Sequence, residues 1–274
     1  MNISQSLLII AAACAFATAQ AQTLSFEPMP LDRPLLEISL IHGFYSNANL
    51  RDAAGLGVIN LHANLPVGAR TNVDVLLPIS SVNNTHNADI FGSGSGNISS
   101  TQLGNIGAAI QLATDDARHS VITLGFEAPT ASSEYFALFP IYDNWTNLDH
   151  YISNALTFRA AYSGRYVTPS GLFLGGQLEP RVVVPTGSGD GNGVWLGDVG
   201  VSAGYENNVA AVMVEFENLF NLTYTENPTF NALSIGGQFK GDHLRGTLYL
   251  QVPVNQEWSN VVSPIVGLKF GYVL

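Results

Sequence analysis

The stretch Val262-Ser263-Pro264-Ile265-Val266-Gly267-Leu268-Lys269-Phe270-Gly271-Tyr272-Val273-Leu274 decides the fold. In an extended backbone successive side chains point to opposite faces. Val262, Pro264, Val266, Leu268, Phe270, Tyr272 and Leu274 therefore share one face, and Val261, Ser263, Ile265, Gly267, Lys269, Gly271 and Val273 share the other. A half-buried strand of a soluble sheet also alternates, but seldom over this length with one face wholly apolar. Hydrocarbon is a ready partner for such a face, because a membrane-spanning barrel alternates apolar-out and polar-in along tilted strands.

The same alternation recurs between clusters of Gly, Pro, Asn and Asp. It predicts twelve strands, at 35–45, 56–65, 71–79, 104–113, 120–128, 153–166, 172–184, 195–206, 209–219, 230–240, 244–254 and 262–274. About ten residues per strand suits a membrane crossing tilted near 45°. The expected fold class is all-β, an antiparallel transmembrane β-barrel over residues 35–274. An even strand count puts both termini on one side. The connectors on that side, at 66–70, 114–119, 167–171, 207–208 and 241–243, are brief and rich in turn formers. Those on the other, at 46–55, 80–103, 129–152, 185–194, 220–229 and 255–261, are longer on average. Short periplasmic turns and long extracellular loops are the asymmetry of outer-membrane barrels.

The tail resembles the C-terminal assembly signal of bacterial outer-membrane barrels, a glycine followed at three and five residues by aromatics: Gly267, Phe270 and Tyr272. It departs from that pattern in Leu274 at the final position and in Ile265, where a polar residue is usual. The resemblance implies recognition by the barrel assembly machinery, with lipid and lipopolysaccharide as surroundings. Aromatics are expected in two interfacial belts. Tyr45, Trp145, Tyr151, Trp195, Phe220, Phe230 and Trp258 fall toward the long-loop end, and Tyr162, Tyr166, Tyr205, Phe239, Phe270 and Tyr272 toward the other.

Leu7 to Thr18 is an apolar run, followed by Ala19-Gln20-Ala21. Roughly a dozen residues are too few for a spanning helix, which needs about 20. The pattern instead predicts a signal peptide over 1–21, although Met1 to Ser6 contains no Lys or Arg. Residues 22–34 then form a periplasmic lead, and export to the outer membrane is the expected localisation. Ala11-Ala12-Ala13-Cys14 is a poor lipoprotein site, lacking its leucine. Cys14 is the only cysteine, so a chain beginning at Gln22 has no thiol and no disulfide. Charged residues make up 11% of the sequence, against about 25% in an ordinary soluble domain. Mean hydropathy is nonetheless +0.20. A net charge of −11 argues against nucleic acid as a partner.

Strand parity also predicts the lumen. Outward residues include Ile38, Leu40, Ile59, Leu61, Val73, Val75, Ile110, Leu112, Leu124, Phe126, Val199, Val201, Val212, Val214, Leu233, Ile235, Leu248 and Leu250. The opposite face carries Glu37, Asp74, Glu127, Arg159, Glu179, Arg181, Asp198, Glu215, Glu217, Arg245 and Lys269, seven acidic and four basic. An acidic-biased lumen favours cations and neutral solutes over anions, because low-dielectric walls focus the field. The alternative is that these charges pair and fill the interior, with Arg159 opposite Glu179 and Arg181. Twelve strands enclose more than the eight that side chains fill, and less than the sixteen to eighteen of open porins.

Four short motifs add a second resemblance: Asn105-Ile106-Gly107, Glu127-Ala128-Pro129-Thr130, Val184-Pro185-Thr186-Gly187 and Gly197-Asp198-Val199-Gly200. Over about residues 100–206 the chain resembles the outer-membrane family associated with the meta-pathway of phenol degradation. That resemblance implies a barrel through which small hydrophobic or aromatic compounds cross the outer membrane, and it carries no ligand residues over.

Other readings are weaker. Gly187 to Gly193 has Asp190 and Asn192 at alternate positions, but lacks the remaining ligands of a calcium loop. Connector 129–152 is rich in apolar residues (Tyr135, Phe136, Leu138, Phe139, Ile141, Tyr142 and Trp145) and could cap the mouth. His150 and Ser153 loosely match the sites of outer-membrane lipid hydrolases. Three apart in extended chain, they would point to opposite faces, which disfavours a base–nucleophile pair. His42, His62, His86, His119 and His243 show no metal-ligand spacing. No cofactor and no catalytic residue are expected. The expected function is passive passage of small molecules, with a filled structural or surface-recognition barrel as the alternative and a lipid hydrolase behind it.

Overall fold

The computed structural model describes residues 32–45, 54–84, 98–115, 119–131, 144–186, 193–223, 229–255 and 259–274. The expected signal peptide, residues 22–31 of the lead, the apolar stretch Tyr135–Tyr142, the calcium-like residues Asp190 and Asn192, and Trp258 lie outside them.

Among the described residues thirteen strands are formed: β1 (Leu35–Tyr45), β2 (Ala54–Pro66), β3 (Thr71–Asn84), β4 (Ile98–Leu103), β5 (Gly107–Ala113), β6 (Ser120–Glu127), β7 (Ala155–Val167), β8 (Leu172–Pro185), β9 (Val194–Glu206), β10 (Ala210–Asn221), β11 (Phe230–Lys240), β12 (Leu244–Pro253) and β13 (Val262–Val273). Each pairs antiparallel with its neighbours, and β1 pairs with both β2 and β13, which closes the sheet. β4 and β5 both pair with β3, along different halves of it, so they share one place in the wall. The result is a closed twelve-stranded antiparallel barrel. Closure pairs the wall strands on both sides, as hydrocarbon requires where water cannot satisfy backbone groups, and among the described strands β4 alone pairs on one side only, with β3.

The expected strand over 104–113 begins earlier, at Ile98, and is interrupted at 104–106. At the interruption Gly104 N donates to Pro78 O (2.8 Å) and Asn105 N to His150 O (2.6 Å), so the backbone turns from the ladder toward a segment inside the barrel. A Cβ on Gly104 would lie 2.6 Å from His150 O and 2.9 Å from Pro78 Cγ, so glycine is what lets that segment come close.

On β13, Phe270, Tyr272 and Leu274 are exposed, while Ile265, Gly267, Lys269, Gly271 and Val273 are buried. Val262 departs from parity and is fully buried. Partners shift there from Gly43↔Ile265 to Tyr45↔Val262, so β13 carries one extra residue and its first inward position is moved to Val262. The exterior is otherwise apolar: Ile38, Leu40, Leu61, Val75, Val201, Val212, Val214, Leu233, Ile235, Leu248 and Leu250 are all exposed. Tyr162, Tyr166, Tyr205, Phe239, Phe270 and Tyr272 form an exposed aromatic belt at the short-turn end, and Trp195 is exposed at the other. Tyr45 and Tyr151, expected in that second belt, are instead buried inside the barrel.

The short turns are held by local hydrogen bonds. Asn207 Oδ1 accepts from Val209 N (2.9 Å) and Ala210 N (2.8 Å), and Thr168 Oγ1 donates to Leu172 O (3.0 Å).

Candidate functional site

The interior is layered. Toward the long-loop end the inward side chains are apolar: Ile41, Tyr45, Val58, Ala155, Val183, Leu196, Leu219, Ala232, Val262 and Ile265 form one buried cluster. Below it lies a charged layer. Glu127, Glu179, Arg181 and Asp198 are fully buried, and Asp74, Arg159, Glu215, Glu217 and Lys269 nearly so. Glu37 and Arg245 are half-buried, opposite each other's neighbours across β13 at Gly271. The structure thus places all eleven candidate lumen residues on the inward face, but it separates them into clusters.

The central cluster is built around two arginines that face each other in register, Arg159 on β7 and Arg181 on β8. Arg181 donates from Nε to Glu179 Oε1 (2.6 Å), from NH1 to Asp149 Oδ1 (3.1 Å) and from NH2 to Asp198 Oδ2 (3.0 Å). Arg159 donates to Glu127, to Asp149 Oδ2 (3.2 Å) and to Glu179 Oε1 (3.4 Å). Glu217 on β10 is buried near Asp198 and extends the cluster toward that strand. Two like-charged guanidiniums tolerate direct opposition because carboxylates surround both.

Asp149 does not come from the wall. It lies on a 3-10 turn, Trp145–Tyr151, which enters the barrel from the connector between β6 and β7. Asn105 Nδ2 holds that turn by donating to Asp149 O (2.9 Å) and Ile152 O (2.8 Å), and Tyr151 Oη donates to Asn60 Oδ1 (3.3 Å). Asn144, Asn147, Asp149, His150 and Tyr151 are all buried. The His150 Nε2 lies 2.9 Å from Arg159 NH2 and 2.9 Å from Glu127 Oε1, so the imidazole and the carboxylate share one arginine amino group. Burial pushes the His150 imidazole down to about 4, leaving it uncharged at neutral pH and able to accept from Arg159. His150 and Ser153 are not both in extended chain: His150 is in the turn, engaged with the wall, and Ser153 borders the cavity lined by Leu148 and Ile152.

Two smaller clusters complete the layer. His62 contacts Asp74, whose Oδ1 also accepts from Asn64 Nδ2 (3.0 Å), and Asn64 in turn reaches Gln111 (2.9 Å). Lys269 stands 5.7 Å over the Tyr249 ring, with Glu37, Glu215 and Glu217 as its acidic surroundings. Near the short turns, Glu206 takes Arg165 (2.9 Å) and Lys240 (2.6 Å), and Arg165 lies 3.5 Å above the Phe173 ring.

Space follows the layering. Under the turn, between Asn147, His150, Lys269 and His62, about 20 Å³ is left, enough for roughly one water. Above it a cavity of about 390 Å³ is lined by Leu148, Ile152, Val183, Leu196, Leu219 and Phe230, among others. Sequence reasoning missed Asp149 and this chamber. Asp149 sits in a connector, where alternation assigns no face, and the chamber needs inward apolar positions that parity alone reads as lumen.

These features define a class: a transmembrane antiparallel barrel of outer-membrane type, plugged by one of its own connectors. No protein-family model matches the sequence, and no curated protein matches it either. Likeness is found in the fold. The chain superposes on an outer membrane channel from Pseudomonas putida F1 with a TM-score of 0.60, at 10% identity over 92% of this chain and 100% of that one. It is similar to the KdgM porin in complex with disordered oligogalacturonate (TM-score 0.50, 9% identity, 88% and 99% covered). LpxR from Salmonella typhimurium is similar to the same degree (TM-score 0.50, 10% identity, 88% and 100% covered).

Proposed function

We propose that this barrel is an outer-membrane channel for passive passage of small molecules, apolar or aromatic ones above all, through an acidic-biased lumen. The chamber of about 390 Å³ carries this reading. A soluble core would have no reason to leave an apolar hollow of that size beside a charged layer, since a close-packed interior keeps few voids larger than a water. Ligand sites are commonly apolar concavities of this scale with a few polar groups at the edge, and here those are Ser153, Asn154 and Asn221. The fold shared with an outer membrane channel and a porin supports the reading, as does the resemblance to the phenol meta-pathway family. On this reading the solute, membrane lipid and lipopolysaccharide are the partners, and Gly267, Phe270 and Tyr272 address the chain to the assembly machinery.

One observation favours the alternative of a filled barrel: the central charges are paired across the lumen rather than left facing open space. Uptake by proteoliposomes containing refolded protein, residues 22–274, separates the two. A small neutral aromatic is expected to equilibrate faster than in protein-free vesicles, and Leu196→Asn in the chamber wall is expected to slow it several-fold. No acceleration by demonstrably folded protein would overturn the channel and leave the filled barrel.

A further inference from the structure

We propose that the turn Trp145–Tyr151 is a releasable plug, latched in the lumen by Asp149 and drawn outward when the long-loop side is electrically positive. The inference rests on the channel reading and goes beyond it by naming the moving part.

The charge count around Asp149 points to release. Without it the wall already supplies Glu127, Glu179 and Asp198 to Arg159 and Arg181, three carboxylates for two guanidiniums. Withdrawing Asp149 strands neither arginine. A structural ion pair behaves differently, because losing one partner leaves a buried charge uncompensated. Docking Asp149 adds a fourth carboxylate among three, so part of its attraction to the arginines is offset by repulsion from its neighbours. Besides Asp149, the turn is held by three hydrogen bonds from Asn105, by one from Tyr151 to Asn60 and by the contact of His150 with Arg159 and Glu127, and none of these places a further charge on the turn.

Release also has a consequence in the right place. Leu148 and Ile152, on either side of the latch, line the apolar chamber above. The void of about 20 Å³ is lined by Asn144, Asn147 and His150 of the same segment, against β1, β2, β12 and β13. The turn therefore lies between the chamber and the charged interior on that side of the wall. Between Asn144 and Asn154 the only formally charged side chain at neutral pH is Asp149, so the segment carries a single negative charge. A membrane field acts on that charge, and a plug tied to the long-loop end moves toward that end when it is positive.

Two readouts test this on refolded protein, residues 22–274, which has no native cysteine. In planar bilayers the wild type should open with one polarity and close with the other. Insertion direction is set by blocking a Val67→Cys reporter in an exposed short turn. Asp149→Asn should raise the open probability about tenfold, the scale of one lost charged hydrogen bond, and abolish the polarity difference. Asp149→Glu should restore it. In vesicles, a water-soluble maleimide should label Thr157→Cys, fully buried beside the cluster, about tenfold faster in the Asp149→Asn background. Equal labelling in both backgrounds, or wild-type current indifferent to polarity, would overturn the plug. Faster labelling in a protein silent to ions and solutes would support the plug and overturn the channel.

Discussion

Arg181 shows how much of this interior rests on single residues. It is fully buried, and its Nε, NH1 and NH2 each meet a different carboxylate. Removing the guanidinium would leave Glu179, Asp149 and Asp198 facing each other in low dielectric. Arg181→Ala is therefore expected to cost about 3–5 kcal/mol, the range for breaking a buried ion pair by deleting one partner. Urea unfolding of the protein in lipid vesicles would read it as a lowered midpoint. Arg181→Lys should recover only part, because one ammonium cannot span three partners held by a planar fork. Asp149→Asn, by contrast, should leave the midpoint nearly unchanged, since both arginines keep carboxylates. The difference between these residues also marks what the sequence could tell. Glu179, Arg181 and Asp198 lie on strands, where every second side chain faces in, so their common face was readable from spacing. Asp149 lies in a turn, and nothing in its spacing says that the chain folds back into the barrel.

At the scale of elements, β13 combines two kinds of constraint. Outward Phe270 and Tyr272 meet lipid, while inward Gly267 lies directly under the Tyr249 ring, which occupies the space a Cβ would take. Gly267→Leu should consequently force the ring out and prevent β12 and β13 from pairing normally. Loss of the folded, faster-migrating form on unheated gels would show it, and Tyr249→Ala should partly rescue that form. Phe270→Ala with Tyr272→Ala should act differently. If these rings address the assembly machinery, the double variant inserts several-fold more slowly in cells yet still refolds in detergent; equally normal insertion would remove the assembly role. The C-terminal strand was legible because period two is imposed along its whole length. Its one error, Val262, comes from the extra residue opposite Gly43–Tyr45, and a bulge changes parity without changing composition. The broken strand at 104–106 escaped for a similar reason: Gly104 and Asn105 serve the plug, a partner distant in sequence.

For the whole molecule the decisive quantity is the imbalance of charge across the lumen. On the proposed channel reading, an ion crossing it would pass a central layer with seven wall carboxylates and four wall cations, and then Glu206 with Arg165 and Lys240 near the short turns. The long-loop end offers mostly apolar side chains, which cannot replace an ion's hydration. The acidic surplus is not evenly spread. Arg159 and Arg181 are enclosed by their own partners, whereas Glu215 and Glu217 face Lys269 together with Glu37, three carboxylates around one ammonium. On the proposed reading, that side is where a negative potential would persist, its reach extended by low-dielectric walls. The double change Glu215→Gln/Glu217→Gln removes two of the three carboxylates while keeping Asp149 and both of its arginine partners. Under a salt gradient, wild-type channels should show a reversal potential of cation-selective sign. In the double variant it should move toward zero or invert, with unitary conductance lowered. An unchanged reversal potential would mean that the conducting path does not run past β10. A shift confined to the Asp149→Asn background would mean that ions reach these carboxylates only after the plug has left.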